Sequence, residues 1–321
     1  MKTLIRLAVA TTLLGVATAQ AQNYPTKPIR IIVPFAPGGP TDTHTRWGAQ
    51  YLTTALGQQI LVDNRGGAGG IIGTEAVAKS PADGYTLLGG NPGPLTIAPS
   101  VRKQLAYDPV RDFAPITLIV KSASCMCVHP SIPVKNLREF ITLAKRSPGK
   151  INYATPGLGT VGHLGTELFA TTAGIKMNMI PYKGAALYVV DLMAGNVDFA
   201  YVQIAQSAPL VKVGKMRALA VTATERSPLM PDTPTAAEQG VKGFSSYNWT
   251  GLLAPAGTPK AIIDRLHAIL HKPLSDPATR KLLTDQGNEV AGDGPAEYAA
   301  FIKSETEKWA RVAKTAGIPK Q

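Results

Sequence analysis

The stretch FAPITLIVKSASCMCV, residues 113–128, is a long apolar segment that only Lys121 interrupts with a charge. A second apolar segment, WTGLLAP, occupies residues 249–255. Both stand apart from the alternating pattern of the rest of the chain, so each is predicted to be a strand that crosses from one part of the fold to another. The chain between them is then an insertion, and the first part of the fold is built from two chain pieces.

Outside these two segments, short aliphatic or β-branched runs alternate with stretches of helical periodicity. Trp47, Tyr51 and Leu52 repeat at helical spacing, and Gly57 is placed to end that helix. Alternating strands and helices predict an α/β fold in which helices flank parallel sheets. After Pro259 only helices are predicted. The predicted strands of the alternation span residues 29–33, 60–63, 85–88, 151–154, 177–181, 197–201 and 217–221.

The two crossing segments divide the chain into two predicted domains. Residues 24–122 and 245–321 form a discontinuous domain 1, and residues 123–244 form an inserted domain 2. Two adjacent crossing strands are the layout of a clamshell, in which they act as a hinge and a ligand enters the cleft between the domains. The chain has 321 residues, which exceeds the roughly 100–200 residues of a typical single domain.

The first 21 residues have the order of a secretory signal peptide. Lys2 and Arg6 precede an apolar run over residues 7–17, and the small-residue pattern Ala-Gln-Ala follows at residues 19–21. A membrane anchor is the alternative, but the apolar run is only about half of the roughly 20 residues that a spanning helix needs. We therefore predict cleavage after Ala21 and a mature protein that is soluble in the periplasm.

Charge and cysteine content exclude several other classes of protein. The formal net charge is +12, but the basic residues are scattered and not interleaved with aromatic residues, so we predict no nucleic-acid binding. Cys125 and Cys127 lie two apart on a predicted strand, where they are expected to be buried thiols rather than a disulfide. With His129 as a poor third ligand, no metal site is predicted.

Two glycine-bearing loops follow predicted strands and open predicted helices. We call PFAPGGPTD, residues 34–42, glycine loop 1 and TPGLGTVGH, residues 155–163, glycine loop 2. Glycine lets the backbone approach a ligand, and a helix N-terminus offers unpaired N–H donors and partial positive charge to an anion. In glycine loop 1, Thr41 or Asp42 is expected to cap the helix. The alternative for glycine loop 1 is an ordinary strand-to-helix turn.

Other strand ends add candidate residues and one competing function. Asn91, Tyr182 and Gln203 are assigned to the same predicted site, because the carboxyl ends of parallel strands face the cleft. Gly157, Gly159 and Gly162 have the spacing of a dinucleotide fingerprint, which leaves an NADP-type oxidoreductase open, with Lys183 near a 2′-phosphate. No acidic residue ends the following strand to hold a ribose. No catalytic motif is found, so no enzymatic activity and no cofactor are predicted.

Several motifs together resemble one family, the substrate-binding proteins of tripartite tricarboxylate transporters, also called Bug receptors. The resemblance covers essentially the whole mature chain. Besides glycine loop 1, it rests on YPTKPIR (24–30), NRGGAGG (64–70), DGYT (83–86), PYKG (181–184), RALAVT (217–222) and LLAPAGTP (252–259).

The resemblance implies a type II periplasmic-binding-protein fold and a receptor that delivers a small organic carboxylate to membrane permease subunits. It also implies a carboxylate pincer made by the two glycine loops, partly through ordered water. A monomer is expected. The residues that it implicates are Phe35, Pro37, Gly38, Gly39, Thr41 and Asp42 in glycine loop 1, and Thr155, Gly157, Gly159, Thr160 and His163 in glycine loop 2.

Overall fold

The computed structural model describes residues 24–182 and 184–320. The predicted signal peptide and Lys183 lie outside the described residues. Within them, the strands are β1 (Ile29–Val33), β2 (Ile60–Asn64), β3 (Thr86–Gly90), β4 (Phe113–Val128), β5 (Asn152–Thr155), β6 (Asn178–Pro181), β7 (Phe199–Gln203), β8 (Arg217–Val221), β9 (Tyr247–Pro255) and β10 (Asn288–Asp293).

The α-helices of the described residues cover both sheet faces. They are α1 (Pro40–Leu56), α2 (Ile71–Ala78), α3 (Ala98–Val101), α4 (Leu137–Arg146), α5 (Val161–Ala173), α6 (Ala185–Ala194), α7 (Ile204–Lys212), α8 (Lys260–Ser275), α9 (Pro277–Asp285) and α10 (Pro295–Thr315). A short 3₁₀ turn at Ala68–Gly70 precedes α2, and a π-helical turn at Gly93–Ile97 precedes α3.

The strands join in the order β2-β1-β3-β9-β4-β7-β5-β6, with β8 and β10 also paired to β4. Strand β4, with 16 residues, takes part in two sheets. Its residues 113–123 pair with β9, whereas residues 124–128 pair with β7. We call sheet 1 the group β1, β2, β3, β9 and β10 with the first part of β4, and sheet 2 the group β5–β8 with the last part. Each sheet with its helices is called the sheet-1 side or the sheet-2 side.

The pairing is parallel among the alternating strands β1–β3 and β5–β7, as predicted, and antiparallel at the crossing strands, for which no direction was predicted. Strand β1 is parallel to β2 and β3, and β5 is parallel to β6 and β7. In contrast, β9 is antiparallel to β3 and β4, and β4 is antiparallel to β7 and β8. The crossing strands carry the chain between the sheets rather than following a helix back over one sheet, so the right-handed βαβ geometry does not fix their direction.

Strand β10 corrects the prediction that only helices follow Pro259. Its sequence, NEVAGD, contains residues that are depleted in strands, so no strand pattern is visible. It forms because it adds antiparallel to β4, where Val290 pairs with Val120. The hydroxyl of Ser122 donates to Asn288 Oδ1 at 2.6 Å and fixes the start of the strand.

The two sides have separate apolar cores. Stacked rings of Phe140, Phe169 and Phe199 lie at the centre of one on the sheet-2 side. Cys125 and Cys127 are fully buried in a neighbouring sheet-2 cluster as free thiols, which confirms that prediction. A hydrogen bond with Cys125, together with burial, raises the pKa of the Cys127 thiol well above its ordinary value. The sheet-1 core includes Ile29, Ile31, Leu52, Leu87, Leu266 and Leu270.

Among residues 24–182 and 184–320, no helix combines the length and the apolar character that crossing a bilayer requires.

Candidate ligand-binding site

Glycine loop 1 leads from β1 into α1 and leaves the start of that helix open. The N-cap is Gly39, Pro40 follows at the first helical position, and no side chain caps the helix. The prediction that Thr41 or Asp42 caps it is therefore wrong, because both already lie inside the first turn. Gly38 has φ +80°, a backbone conformation that favours glycine. The first-turn N–H groups of α1, which lack an intrahelical partner, also lack a side-chain cap.

Asp42 supports glycine loop 1 from behind. Its buried carboxylate accepts hydrogen bonds from Gly38 N–H at 2.9 Å, Arg46 Nε at 3.0 Å and Asn64 Nδ2 at 2.9 Å. Burial acts to raise the pKa of Asp42, but the bonds from Arg46, Gly38 and Asn64 outweigh it and hold the pKa below its ordinary value. The carboxylate is thus ionised and already committed to loop structure.

Asn91 connects the end of β3 to glycine loop 1. Its Nδ2 donates to Thr41 Oγ1 at 3.2 Å, and its Oδ1 accepts from Gly93 N–H at 2.9 Å. Phe35 is half-buried, with its ring against Gly70, whereas Pro37 and Gly38 are exposed. The structure therefore brings the predicted residues of loop 1 together with Asn91.

Glycine loop 2 is closed by its own hydroxyl groups. Thr160 is the N-cap of α5, and its Oγ1 accepts from His163 N–H at 3.4 Å while donating to Gly157 O at 2.7 Å. Thr155 Oγ1 lies 3.2 Å from Thr160 Oγ1. Gly157 and Gly159 have φ of +132° and +75°. These bonds hold the loop in one conformation at the start of α5.

His163 is buried at the base of glycine loop 2. Its Nδ1 lies 3.4 Å from the backbone nitrogen of Gly159 and accepts that N–H. Burial lowers the pKa of His163 to about 4, so the imidazole is neutral at pH 7. His163 therefore shapes the loop and brings no positive charge to it.

Tyr182 and Gln203 differ in how their polar groups are used. The Tyr182 hydroxyl donates to Asp191 Oδ2 at 2.6 Å, and the Tyr182 N–H donates to Thr155 O at 2.8 Å. Gln203 is half-buried at the end of β7, and its Nε2 is buried without a partner among the described residues. Tyr182 thus braces glycine loop 2, while Gln203 keeps a donor available.

Glycine backbones bring the two sides into contact. A Cβ built on Gly69 would lie 3.1 Å from the carbonyl oxygen of Leu158. A Cβ on Gly93 would lie 3.2 Å from Gly69 O and 3.4 Å from Gly159 O. The sequence shows a glycine-dense run at residues 64–70. It does not show that this run touches glycine loop 2.

Two cavities involve the sheet-1 side, and only the smaller lies at this contact. A cavity of about 530 Å³ opens on the sheet-1 side, away from both glycine loops, and basic side chains including Arg102, Lys103 and Arg111 line it. A space of only about 10 Å³ lies between the sides, next to Val101 and Gly159. The two sides are therefore closely packed beside glycine loop 2.

The groups that the two loops present are of the kind that can bind an anion. Each loop ends at a helix N-terminus on a different side of the molecule, and its polar groups are backbone N–H, hydroxyl and amide groups. The glycines of the dinucleotide spacing have a local explanation, since a Cβ on Gly162 would lie 2.7 Å from Pro156 Cδ. Lys183, the candidate for a 2′-phosphate, lies outside the described residues.

Comparisons with known proteins agree with this arrangement. A relative from Bordetella pertussis, Protein BugT, is 37% identical over 302 residues, which cover 94% of this chain and 93% of that protein. Among solved structures, an R. palustris protein with adipate has a TM-score of 0.87 at 36% identity and covers 93% of this chain and 100% of its own.

Two further structures extend the comparison. The periplasmic binding protein BugD has a TM-score of 0.84 at 37% identity, over 93% of this chain and 100% of its own. MatC from Rhodopseudomonas palustris, with bound malate, has a TM-score of 0.83 at 34% identity, over 90% of this chain and 99% of its own. The fold is that of the α/β periplasmic binding proteins.

The family model described as "Tripartite tricarboxylate transporter family receptor", TctC, matches residues 45–318. That match excludes the oxidoreductase alternative, because the family consists of transport receptors rather than enzymes. The chain belongs to the TctC, or Bug, family of solute-binding receptors of tripartite tricarboxylate transporters.

Proposed function

We propose that this receptor captures a small organic dicarboxylate in the periplasm and holds it between glycine loop 1 and glycine loop 2. The observation that carries the proposal is the pair of glycine-bearing helix N-termini, one on each side of the molecule. A carboxylate placed between them accepts backbone N–H groups and meets the positive end of a helix dipole from both sides.

The uncapped start of α1 is the primary carboxylate site in this proposal. Thr41 and Asp42 contribute first-turn N–H groups, and the exposed Gly38 and the half-buried Gly39 let the ligand approach the backbone. Because the charge of the ionised Asp42 is offset by Arg46, its repulsion of an incoming anion is reduced. Hydrogen bonds to an ionised acceptor are shorter and stronger than neutral ones, so a few donors suffice.

A second acidic group on the ligand is supported by the relatives. The R. palustris structure contains adipate and MatC contains malate, both dicarboxylates. On the sheet-2 side, the Nε2 of Gln203 and the backbone N–H of Gly157 are candidate donors for the far end, whereas Gly159 N–H already donates to His163 Nδ1. Ordered water between the loops and the ligand would let one pocket accept acids of different length.

Ligand capture in this proposal needs movement between the two sides. We assign domain 1 to residues 24–122 and 245–321 and domain 2 to residues 123–244, with β4 and β9 as the hinge. Support comes from the pairing, because β4 passes from sheet 1 to sheet 2 between residues 123 and 124. Rotation about two strands would open the contact between Gly69 and Leu158 to admit the ligand.

Export and partners follow from the same role. Cleavage of the signal peptide at residues 1–21 would release a monomeric receptor into the periplasm, where membrane permease subunits would receive its ligand. Homologues of this chain are periplasmic binding proteins. No nucleic acid is a partner in this proposal, since the positive charge is scattered along the chain.

A thermal-shift screen of the mature protein tests the proposal. Adipate, malate, succinate and citrate would be compared with NADP and heparin. A ligand at 100 times its dissociation constant stabilises the native state by about 2.7 kcal/mol, which is readily measured. At least one dicarboxylate should raise the melting temperature, and its dimethyl ester should not, because the ester carries no charge.

Two outcomes would contradict the proposal. Stabilisation by NADP without any response to the acids would return the dinucleotide alternative. Equal stabilisation by an acid and its ester would show that the negative charge is not what the protein recognises.

A further inference from the structure

An apolar cluster joins the two sides next to glycine loop 2. We call it the seam cluster, and its buried members are at most 7% exposed. Ile97 and Val101 belong to the sheet-1 side, Leu164 belongs to α5 on the sheet-2 side, and Trp309, Val312 and Ala313 belong to α10. Val161, Leu168 and Ile318 pack around it. The cluster is therefore a continuous apolar contact across the boundary between the sides.

Leu164 is the fully buried sheet-2 member, and it lies in the first turn of α5. Its N–H donates to the carbonyl of the N-cap residue Thr160 at 3.0 Å. Because a helix turn is rigid, the packing of Leu164 fixes where the N-terminus of α5 points. The same contact therefore sets the position of glycine loop 2 relative to the sheet-1 side.

The α10 part of the seam cluster is positioned by contacts with the sheet-1 side. Helix α10 packs against β4, the Gly93–Ile97 turn and α3 as well as against α5. Trp309 Nε1 donates to Glu305 Oε2 at 3.0 Å, and the Lys308 ammonium lies 4.9 Å from the centre of the indole ring. Trp309 is thus oriented by its own helix, and α5 packs against a surface that is already formed.

We propose that Leu164 is a positioning residue for ligand capture, which acts by docking α5 and glycine loop 2 onto Trp309 and Val101 when the two sides come together. This inference rests on the proposed function and adds the residue that sets its strength. The glycine contacts are backbone approaches with little apolar area, so the seam cluster supplies the apolar contact that favours the closed arrangement.

The expected effect follows from population arithmetic. If only the closed arrangement binds tightly, the apparent dissociation constant equals the intrinsic one divided by the closed fraction. Replacing Leu164 with alanine removes buried methyl groups from the seam and lowers that fraction. We expect carboxylate affinity to fall at least about fivefold, and the ligand-free protein to become more open.

Three variants separate positioning from general stability. Leu164→Ala removes the seam contact, and Leu164→Met keeps most of the volume and should restore affinity. Leu137→Ala is the matched control, because Leu137 is also fully buried but packs only in the sheet-2 core with Phe140. Each would be titrated calorimetrically with adipate and malate, unfolded in urea, and measured without ligand by small-angle X-ray scattering.

The expected pattern is a loss of stability in both alanine variants, with weakened affinity and a larger radius of gyration in Leu164→Ala alone. Affinity within twofold of the wild type for Leu164→Ala, or an equal loss for Leu137→Ala, would overturn the proposal. If the wild type bound neither acid, the proposed ligand class would fail instead. The scattering comparison would then decide the seam, and equal radii for all variants would overturn it.

Discussion

The two glycine loops have similar sequences but are built differently. Glycine loop 1 opens α1 without a side-chain cap and is supported from behind by Asp42, Arg46 and Asn64. Glycine loop 2 opens α5 with Thr160 as a cap and binds its own carbonyl groups through threonine hydroxyls. The first helix therefore starts without a side-chain cap, whereas in the second the Thr160 hydroxyl caps His163 N–H.

This difference indicates separate roles for the two loops. A carboxylate gains most at the free N-terminus of α1, where no side chain competes for the first-turn N–H groups. Glycine loop 2 is tied to the start of α5 by the Thr160 cap and the bond to Gly157 O, so in the proposal it contributes a surface rather than free donors. Substitutions in loop 1 should therefore affect affinity more than comparable substitutions in loop 2, and the predictions below follow that order of expected effect on affinity.

Asp42→Ala should have the largest effect. It removes the buried carboxylate that orders loop 1 and leaves Gly38 N–H, Arg46 and Asn64 without their acceptor. Breaking one partner of a buried charged network costs about 3–5 kcal/mol, and the partial exposure of Arg46 moves the expected loss of unfolding free energy towards about 2–3 kcal/mol. Carboxylate affinity should fall at least about tenfold by calorimetry.

Asp63→Ala is the control for that variant, because Asp63 pairs with the exposed Arg65 at 2.9 Å and its loss should cost at most about 1 kcal/mol. Similar losses of affinity in both variants would indicate a general charge effect rather than support of loop 1.

Gly39→Val should weaken binding by about tenfold with little loss of stability. Gly39 has φ −78°, and an added Cβ would meet only Ala36 O at 3.7 Å, so the fold has room for a side chain that obstructs ligand approach. Thr41→Ala should weaken binding less than Gly39→Val does. It removes one neutral hydrogen bond, from Asn91 to Thr41, and such a loss costs about 0.5–1.5 kcal/mol.

Calorimetry on both variants, with urea unfolding as the check on folding, tests this order. Tighter binding by Gly39→Val than by Thr41→Ala would mean that the ligand does not approach the backbone of loop 1. Gly159→Val is a poorer probe, because Gly159 has φ +75° and valine there would strain the backbone itself.

Thr160→Ala tests the cap of glycine loop 2. Loss of an N-cap threonine costs about 1 kcal/mol of stability, and Gly157 O loses its donor at the same time. Affinity should fall only about two- to threefold, since the backbone conformation of loop 2 also depends on its glycines and should be retained. Thr160→Ser should restore both quantities because serine supplies the same hydroxyl. A larger loss of affinity than in Asp42→Ala would reverse the roles assigned to the two loops.

Changing the pH from 8 to 6.5, a range in which the dicarboxylate stays ionised, should leave affinity unchanged. Burial lowers the pKa of both His44 and His163 to about 4, so both imidazoles are neutral throughout this range. Stability should nevertheless fall between pH 7 and pH 5. Unfolded histidine binds a proton near pH 6.5 and the native rings do not, which costs about 1–2 kcal/mol for each histidine.

Titrations and urea unfolding at several pH values test both parts, and His44→Gln should show a shallower loss of stability. Asp42 affects stability only at lower pH, because the pKa of its carboxyl in the native protein is depressed. Its stabilising contribution is present above the ordinary carboxyl pKa and is lost as pH falls through the native value. A rise in affinity near pH 6 would mean that a protonated histidine contacts the ligand.

Several elements could be predicted from sequence because their signal is local. The apolar runs gave β1 and β8 with their observed bounds, and β4 at residues 113–128 in full. Strand β10 could not be predicted, because its polar and glycine residues form a strand only on the free edge of β4. The sequence also gave no direction for β9, because direction depends on which neighbours the strand meets.

The sequence by itself determined the α/β alternation, the two crossing segments, the buried thiols and the two glycine loops. These features depend on periodicity, on the rigidity of short turns and on apolar character, all of which act within a few residues. Only the tertiary structure decided that Asp42 supports its loop instead of capping α1, that Gly69 meets Leu158, and that Leu164 joins the seam cluster with Trp309. Those contacts join residues far apart in the chain, and their energies exist only once the two sides have assembled.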